Sequence, residues 1–164
     1  MNIDIKQITE DDIEAYHHVL DVVAKERQYI SFLKAPPIEQ TRIFVEQNIS
    51  RNDPQIIAKV DEKVVGWCDV LPKLQSIYAH SAVLGMGVLP NYRRRGIGKA
   101  LINAALKKAF EKNIVRIELA VFANNLNAVR LYEQFGFQTE GELHNDVLID
   151  GQYKNSLVMA LVRK

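Results

Sequence analysis

Residues 88–99 (VLPNYRRRGIGK) hold the densest chemistry in the chain. The stretch follows an apolar run that reads as a strand, and it opens an apolar helix. The first backbone N–H groups of a helix lack internal partners, and the helix dipole makes that end positive. Gly96 and Gly98 remove side chains where a ligand must approach the backbone. Arg93, Arg94, Arg95 and Lys99 add positive charge, and arginine can hold phosphate oxygens in a fork. The chemistry this suggests is phosphate binding. The spacing lacks the third glycine of the dinucleotide fingerprint and the Gly-Lys-Ser/Thr of the P-loop. A solvated basic helix start is the alternative reading.

Other reactive side chains are scattered. The four histidines and the carboxylates show no metal-ligand spacing, so no metal is expected. Cys68 has no histidine near it in sequence and is a poor nucleophile. His80 and His144 are candidate bases, since histidine as a residue type suits proton transfer, although exposed or structural roles suit them better.

These residues need elements to hold them. Ile3, Ile5 and Ile8 suggest a first strand; Ile13, Tyr16, Val19, Leu20 and Val23 recur at helical spacing. Pro36-Pro37 breaks the chain, and a second helix covers 38–49. Residues 55–60 and 63–71 flank the polar turn Asp61-Glu62 and read as a hairpin. Residues 80–89 read as a strand with Gly85 and Gly87 inside it, which suggests a bulge or close approach by a ligand. Residues 97–112 carry the strongest helix pattern, 114–122 a strand, and Asn125 to Phe135 a helix closed by Gly136. Residues 137–149 and 153–162 are the last two strands, turning at Asp150-Gly151. The order predicts a mixed α/β layer arrangement.

The 164 residues suit one domain, 1–164, with 48% hydrophobic and 25% charged residues. A net charge of +1 provides no global field for nucleic acid or anionic membrane. One cysteine excludes an internal disulfide, no signal peptide is evident, and no run suits a membrane span. A cytoplasmic, soluble protein is expected.

Two blocks carry a resemblance. Arg93, Gly96 and Gly98, placed after Gly87-Val88 and before the helix, are similar to the acetyl-CoA signature of the GCN5-related N-acetyltransferase (GNAT) superfamily. Residues 125–137 (NLNAVRLYEQFGF) resemble its Asn-x-x-Ala-x-x-Leu-Tyr-Glu-x-x-Gly-Phe block. Together the blocks cover 84–137; beyond them only the order of elements matches. The resemblance implies a mostly antiparallel mixed sheet, flanked by helices, with two splayed central parallel strands. It implies acetyl-CoA as co-substrate. The pantetheine arm would pair with Met86, Gly87 and Val88, as an added strand would. The pyrophosphate would sit on the backbone N–H groups of 94–99, Ile97 among them. A strand N–H would polarise the thioester carbonyl.

Tyr132 matches the family tyrosine that protonates the departing thiolate, with core packing as the alternative. Asn125 matches a position that bonds pantetheine or caps its helix. Asn127 and Ala128 fall in the same cofactor-contacting turn. Some members place a carboxylate at the position of Ala120; here the nearest same-face carboxylate is Glu118, the expected base. The segment 26–37 is an expected acceptor-side loop, with Tyr29, Phe32 and Leu33 as pocket residues or sheet packing.

The expected activity is acetyl transfer to a primary amine of an amino acid or other small molecule, with a homodimer through the C-terminal strands. A protein terminus or lysine as acceptor, a non-catalytic acetyl-CoA-binding module, and nucleic-acid binding through Arg93 to Arg95 are the alternatives.

Overall fold

The computed structural model describes residues 1–164. Seven strands form one sheet in the order β1-β2-β3-β4-β5-β7-β6, where β1 is Ile3–Gln7, β2 Gln55–Val60, β3 Lys63–Pro72, β4 Ser81–Val88, β5 Arg116–Phe122, β6 Gln138–Ile149 and β7 Gln152–Val162. Every neighbouring pair is antiparallel except β4 and β5. The mixed sheet expected from the sequence is therefore present, in the expected element order.

The four helices are α1 Ile13–Lys25, α2 Ile38–Arg51, α3 Ile97–Glu111 and α4 Leu126–Gln134. Helix α1 buries Ile13, Tyr16, Val19, Leu20 and Val23, the stripe its periodicity predicts. Helix α3 buries Ile97, Leu101, Ile102, Ala105, Leu106 and Ala109. These two helices lie on opposite faces of β3. Tyr16 meets Trp67 edge to face at 6.0 Å, while a Cβ on the neighbouring Gly66 would meet the Leu101 side chain. Alternation along the strand thus sends Trp67 and Asp69 toward α1, and Gly66 and Cys68 toward α3.

Turn chemistry behaves as read. Asp61 and Glu62 take left-handed φ of 48° and 69° between β2 and β3, and Asp150 and Gly151 take 52° and 76° between β6 and β7. Positive φ at both central positions matches the right-handed twist of a hairpin. Gly136, at φ 94°, closes α4 as the C-terminal glycine.

Strands β4 and β5 carry the functional geometry. They pair only through Ser81↔Arg116, Ala82↔Ile117 and Val83↔Glu118. Beyond those pairs they part, although β4 stays bonded to β3 as far as Val88 and β5 to β7 as far as Phe122. The result is a V-shaped gap with unpaired backbone on both walls.

One glycine reading needs correction. Gly85 and Gly87 are spared a side chain by their cross-strand neighbours, not by a bulge. A Cβ at Gly87 would sit 2.4 Å from the Trp67 ring, and one at Gly85 would sit 3.2 Å from Asp69 Oδ1.

Asp12 anchors the start of α1. It is 3% exposed and accepts from the Thr9 backbone N–H at 2.9 Å, with Lys59 at 2.9 Å and Lys6 at 3.1 Å. Burial works against its charge, but the bonds from Lys59, Thr9 and Lys6 win and hold its pKa at about 2. A depressed carboxylate stabilises the fold above its unfolded pKa, and that contribution fades as pH falls through about 2. We expect Asp12→Ala to cost about 2 kcal/mol at pH 7. In urea denaturation the gap to the native protein should narrow toward pH 2; a gap of constant width would contradict this account.

Candidate active site

Two cavities meet inside the V. The first, of about 730 Å³, is lined by Met86, Gly87, Val88, Arg93, Arg94, Gly96, Gly98, Lys99, Asn125, Asn127, Ala128 and Tyr132 among others. Every residue expected to contact a cofactor is in this groove except Arg95 and Ile97. Arg95 is exposed and lies against the Tyr92 ring. Ile97 is 1% exposed and belongs to the core, so only its backbone can serve the groove.

The floor of the groove is a row of orphaned donors. From Arg94 to Lys99 no backbone N–H has an acceptor in the protein; the first bonded amide is Ala100, which donates to Gly96 O at 3.1 Å. Arg94 and Gly96 take left-handed φ of 61° and 82°, which turns the amides inward as a nest does. Gly96 is needed for its backbone angle, since a Cβ there would meet nothing. Arg94 and Lys99 line the groove and have no ion-pair partner. This donor set suits a diphosphate.

Arg93 is occupied elsewhere. Its fork grips Glu26 at the end of α1, its Nε donates to Val88 O at 2.9 Å, and its guanidinium stacks 4.6 Å from the Tyr29 ring. It ties the loop before α3 to α1 and the segment beyond it, so it has no fork to spare for phosphate.

The second cavity, of about 620 Å³, lies on the α1 side. Tyr16, Tyr29, Phe32, Phe44, Trp67 and Phe122 line it, and Asp69 and Asp146 are its two carboxylates. Of the expected acceptor loop, Tyr29 and Phe32 reach the cavity, whereas Leu33 is exposed and does not. The cavities share Tyr29, Met86 and Tyr132, so these mark their junction.

Tyr132 is 7% exposed, and its ring packs 5.7 Å from that of Phe137. Burial, with a smaller push from Cys68, drives its phenol well above the usual range. Held protonated, it is suited to donate a hydrogen bond or a proton. Asn125 caps α4, its Oδ1 accepting from the Ala128 N–H at 3.3 Å, while it also lines the groove. Both roles weighed for it from sequence are therefore open to it.

Glu118, the expected base, stands apart from both cavities. It sits at the last paired position of β4 and β5, held by Lys73 at 2.6 Å and Arg116 at 3.1 Å, and lines neither cavity. The Lys73 bond, against some burial, and then the Arg116 bond keep its carboxyl below the usual range. His80 and His144 are exposed and line neither cavity.

The buried carboxylate of the second cavity is Asp69, which sequence reading passed over. It is 9% exposed, with no hydrogen bond or ion pair to its side chain, and burial raises its pKa to about 7. Its signal was available: a lone acid inside the apolar run 64–70 (VVGWCDV), which the strand buries. Arg130, Leu131 and Gln134 were also missed, though they repeat on the Asn127 face of α4 at helical spacing.

A splayed parallel pair, a diphosphate cradle at a helix N-terminus and a second cavity across a buried tyrosine define a group-transfer protein with a carrier side and an acceptor side. The chain belongs to the acetyltransferase (GNAT) family, whose model matches residues 16–137. Acetyl-CoA is the co-substrate of that family. The L-amino acid N-acetyltransferase AaaT of Escherichia coli is 30% identical over 66% of this chain and 68% of its own length. The spermidine N(1)-acetyltransferase of Vibrio cholerae is 38% identical, over 48% of this chain and 46% of its own. The solved ribosomal-protein-alanine N-acetyltransferase of Brucella melitensis shares the fold with a TM-score of 0.90 and 22% identity, covering 97% of this chain and 99% of its own. No helix is long and apolar enough to cross a membrane.

Proposed function

We propose that the protein transfers the acetyl group of acetyl-CoA directly to the primary amine of a small molecule. The observation that carries this reading is the junction at Tyr132, where the donor-lined groove opens into the aromatic cavity. Bound acetyl-CoA supplies the acetyl thioester. The amides of 94–99, with Arg94 and Lys99, take its pyrophosphate, and the free edge of β4 at Met86 to Val88 receives the pantetheine arm. Tyr132 donates its proton to the sulfur. A free thiol has a pKa of about 8.5, so full transfer from a phenol is uphill, but a hydrogen bond to the developing charge lowers the barrier. The acceptor cavity is walled by α1, α2, the 29–36 segment and β6, which suits a small molecule better than a chain laid across a surface. A free, buried cysteine suits a reducing cytoplasm.

The test is thiol release from acetyl-CoA across a panel of small amines, with acetyl-CoA affinity measured separately. Tyr132→Phe is expected to lower kcat by about 10- to 100-fold with acetyl-CoA affinity nearly unchanged. If the folded native protein binds acetyl-CoA yet acetylates no amine, the catalytic reading fails and a binding module takes its place.

A further inference from the structure

The acceptor cavity has one sign of charge. Of its lining, Asp69 on β3 and Asp146 on β6 are the carboxylates, Tyr16 on α1, Tyr29 on the following segment and Tyr132 on α4 are the other titratable groups, and no lysine, arginine or histidine is present. Arg93 and Lys154 stand close by, outside the lining. Arg93 grips Glu26 behind Tyr29, and Lys154 lies over the Phe122 ring at 5.3 Å. The only other polar side chains are the neutral Ser31, Gln40, Thr41 and Ser156.

We infer that the acceptor is a primary amine on an apolar body with no carboxylate, and that Asp69 receives its ammonium and takes its proton. This rests on the acetyltransferase reading above. An ammonium entering the cavity meets aromatic faces and an unpaired carboxylate, both of which attract it. The carboxylate of a free amino acid would share the cavity with the buried Asp69 and with Asp146, with no cation in the lining to compensate it, a costly arrangement. The relatives are named for acceptors with a carboxylate, an amino acid, and without one, spermidine; the charge of this cavity favours an acceptor without one.

The proton balance closes. Asp69 takes one proton from the ammonium and passes it to solvent. The nitrogen lone pair then forms the C–N bond as the C–S bond breaks, and the electron pair leaves with sulfur. Tyr132 gives sulfur its proton, and the second proton shed by nitrogen restores the phenol through solvent. An Asp69 titrating near neutrality can hold and release a proton at working pH.

The test compares matched pairs that differ in one carboxylate: 2-phenylethylamine against phenylalanine, and isoamylamine against leucine. The expected kcat/KM favours each amine at least about a hundredfold, a gap the size of one uncompensated buried charge. Preference for the amino acids overturns the acceptor class but leaves acetyl transfer standing. Faster turnover of spermidine than of either monoamine overturns the apolar body, and faster turnover of a tripeptide moves the acceptor to a chain terminus. Failure of every amine, with acetyl-CoA bound, sinks the acetyltransferase reading itself. Asp69→Asn tests the base. Native over variant kcat/KM should climb from pH 6 to pH 8 and then level, with acetyl-CoA affinity unchanged; a flat ratio would leave Asp69 no role in proton transfer.

Discussion

A Gly98→Asp variant should lose at least about a hundredfold in acetyl-CoA affinity while melting at or above the native temperature. The two halves of that result come from different physics. On the binding side, the new carboxylate would stand among amides that have no acceptor in the protein and that face the groove. It would occupy those donors and repel the pyrophosphate; two unit charges about 4 Å apart at an effective dielectric near 20 repel by about 4 kcal/mol. On the folding side nothing is lost. A Cβ at Gly98 would make ordinary contacts of 3.5 Å with Leu131 and Met86. Aspartate in the first turn of a helix is favoured by the dipole, and glycine is a poor helix former. Gly96→Asp is a less informative variant, because φ at 96 is 82° and any side chain there is strained. Calorimetry of acetyl-CoA binding beside thermal melting decides. Undiminished affinity would remove the pyrophosphate from this loop, and a lower melting temperature would make the loss uninterpretable.

Asp69→Asn should stabilise the protein by about 2–4 kcal/mol at pH 8 and change it little at pH 3. Burial raises the folded pKa from 3.8 to about 7. Between those values the unfolded chain has shed a proton that the folded chain keeps. Stability therefore falls as pH rises through that window, and the whole cost stands above pH 7. Every tenfold difference in proton affinity between the folded and unfolded chain is worth about 1.4 kcal/mol. The amide carries no charge to desolvate, so it escapes that cost, less what its own burial requires. For a chain of this size the gain corresponds to roughly 5–10 °C in melting temperature at pH 8. A rise of equal size at pH 3 would point to packing instead of charge, and a fall at pH 8 would mean that an unseen partner compensates Asp69. A stabilising substitution that also slows turnover is what strain held at a working site produces.

The sequence was informative wherever one local rule decided the outcome. Hairpin turns at Asp61-Glu62 and Asp150-Gly151, the stripe on α1 and the glycine ending α4 all depend on a few neighbouring residues. The carrier groove was legible for the same reason: a strand, a turn and a helix start in one continuous stretch. The acceptor side was not, because Tyr16, Phe44, Asp69, Phe122 and Asp146 come from five elements that only the sheet order brings together. Glu118 misled for a related reason. It lies on the same face of β5 as Ala120, but its carboxylate is held by Lys73, just past the end of β3, and by Arg116 on its own strand. Arg93 misled because its partner Glu26 lies 67 residues earlier.

The V between β4 and β5 also bears on how such a chain can change over generations. Its carrier wall offers mainly main-chain atoms, which every amino acid possesses, so away from the glycines and from Arg94 and Lys99 a substitution leaves the offered groups intact. The opposite cavity is drawn in side chains, and each of them can be altered by one codon. A lineage can therefore exchange one acceptor for another by drift at Phe32, Phe44 or Asp146 while its use of the common acyl currency stays fixed.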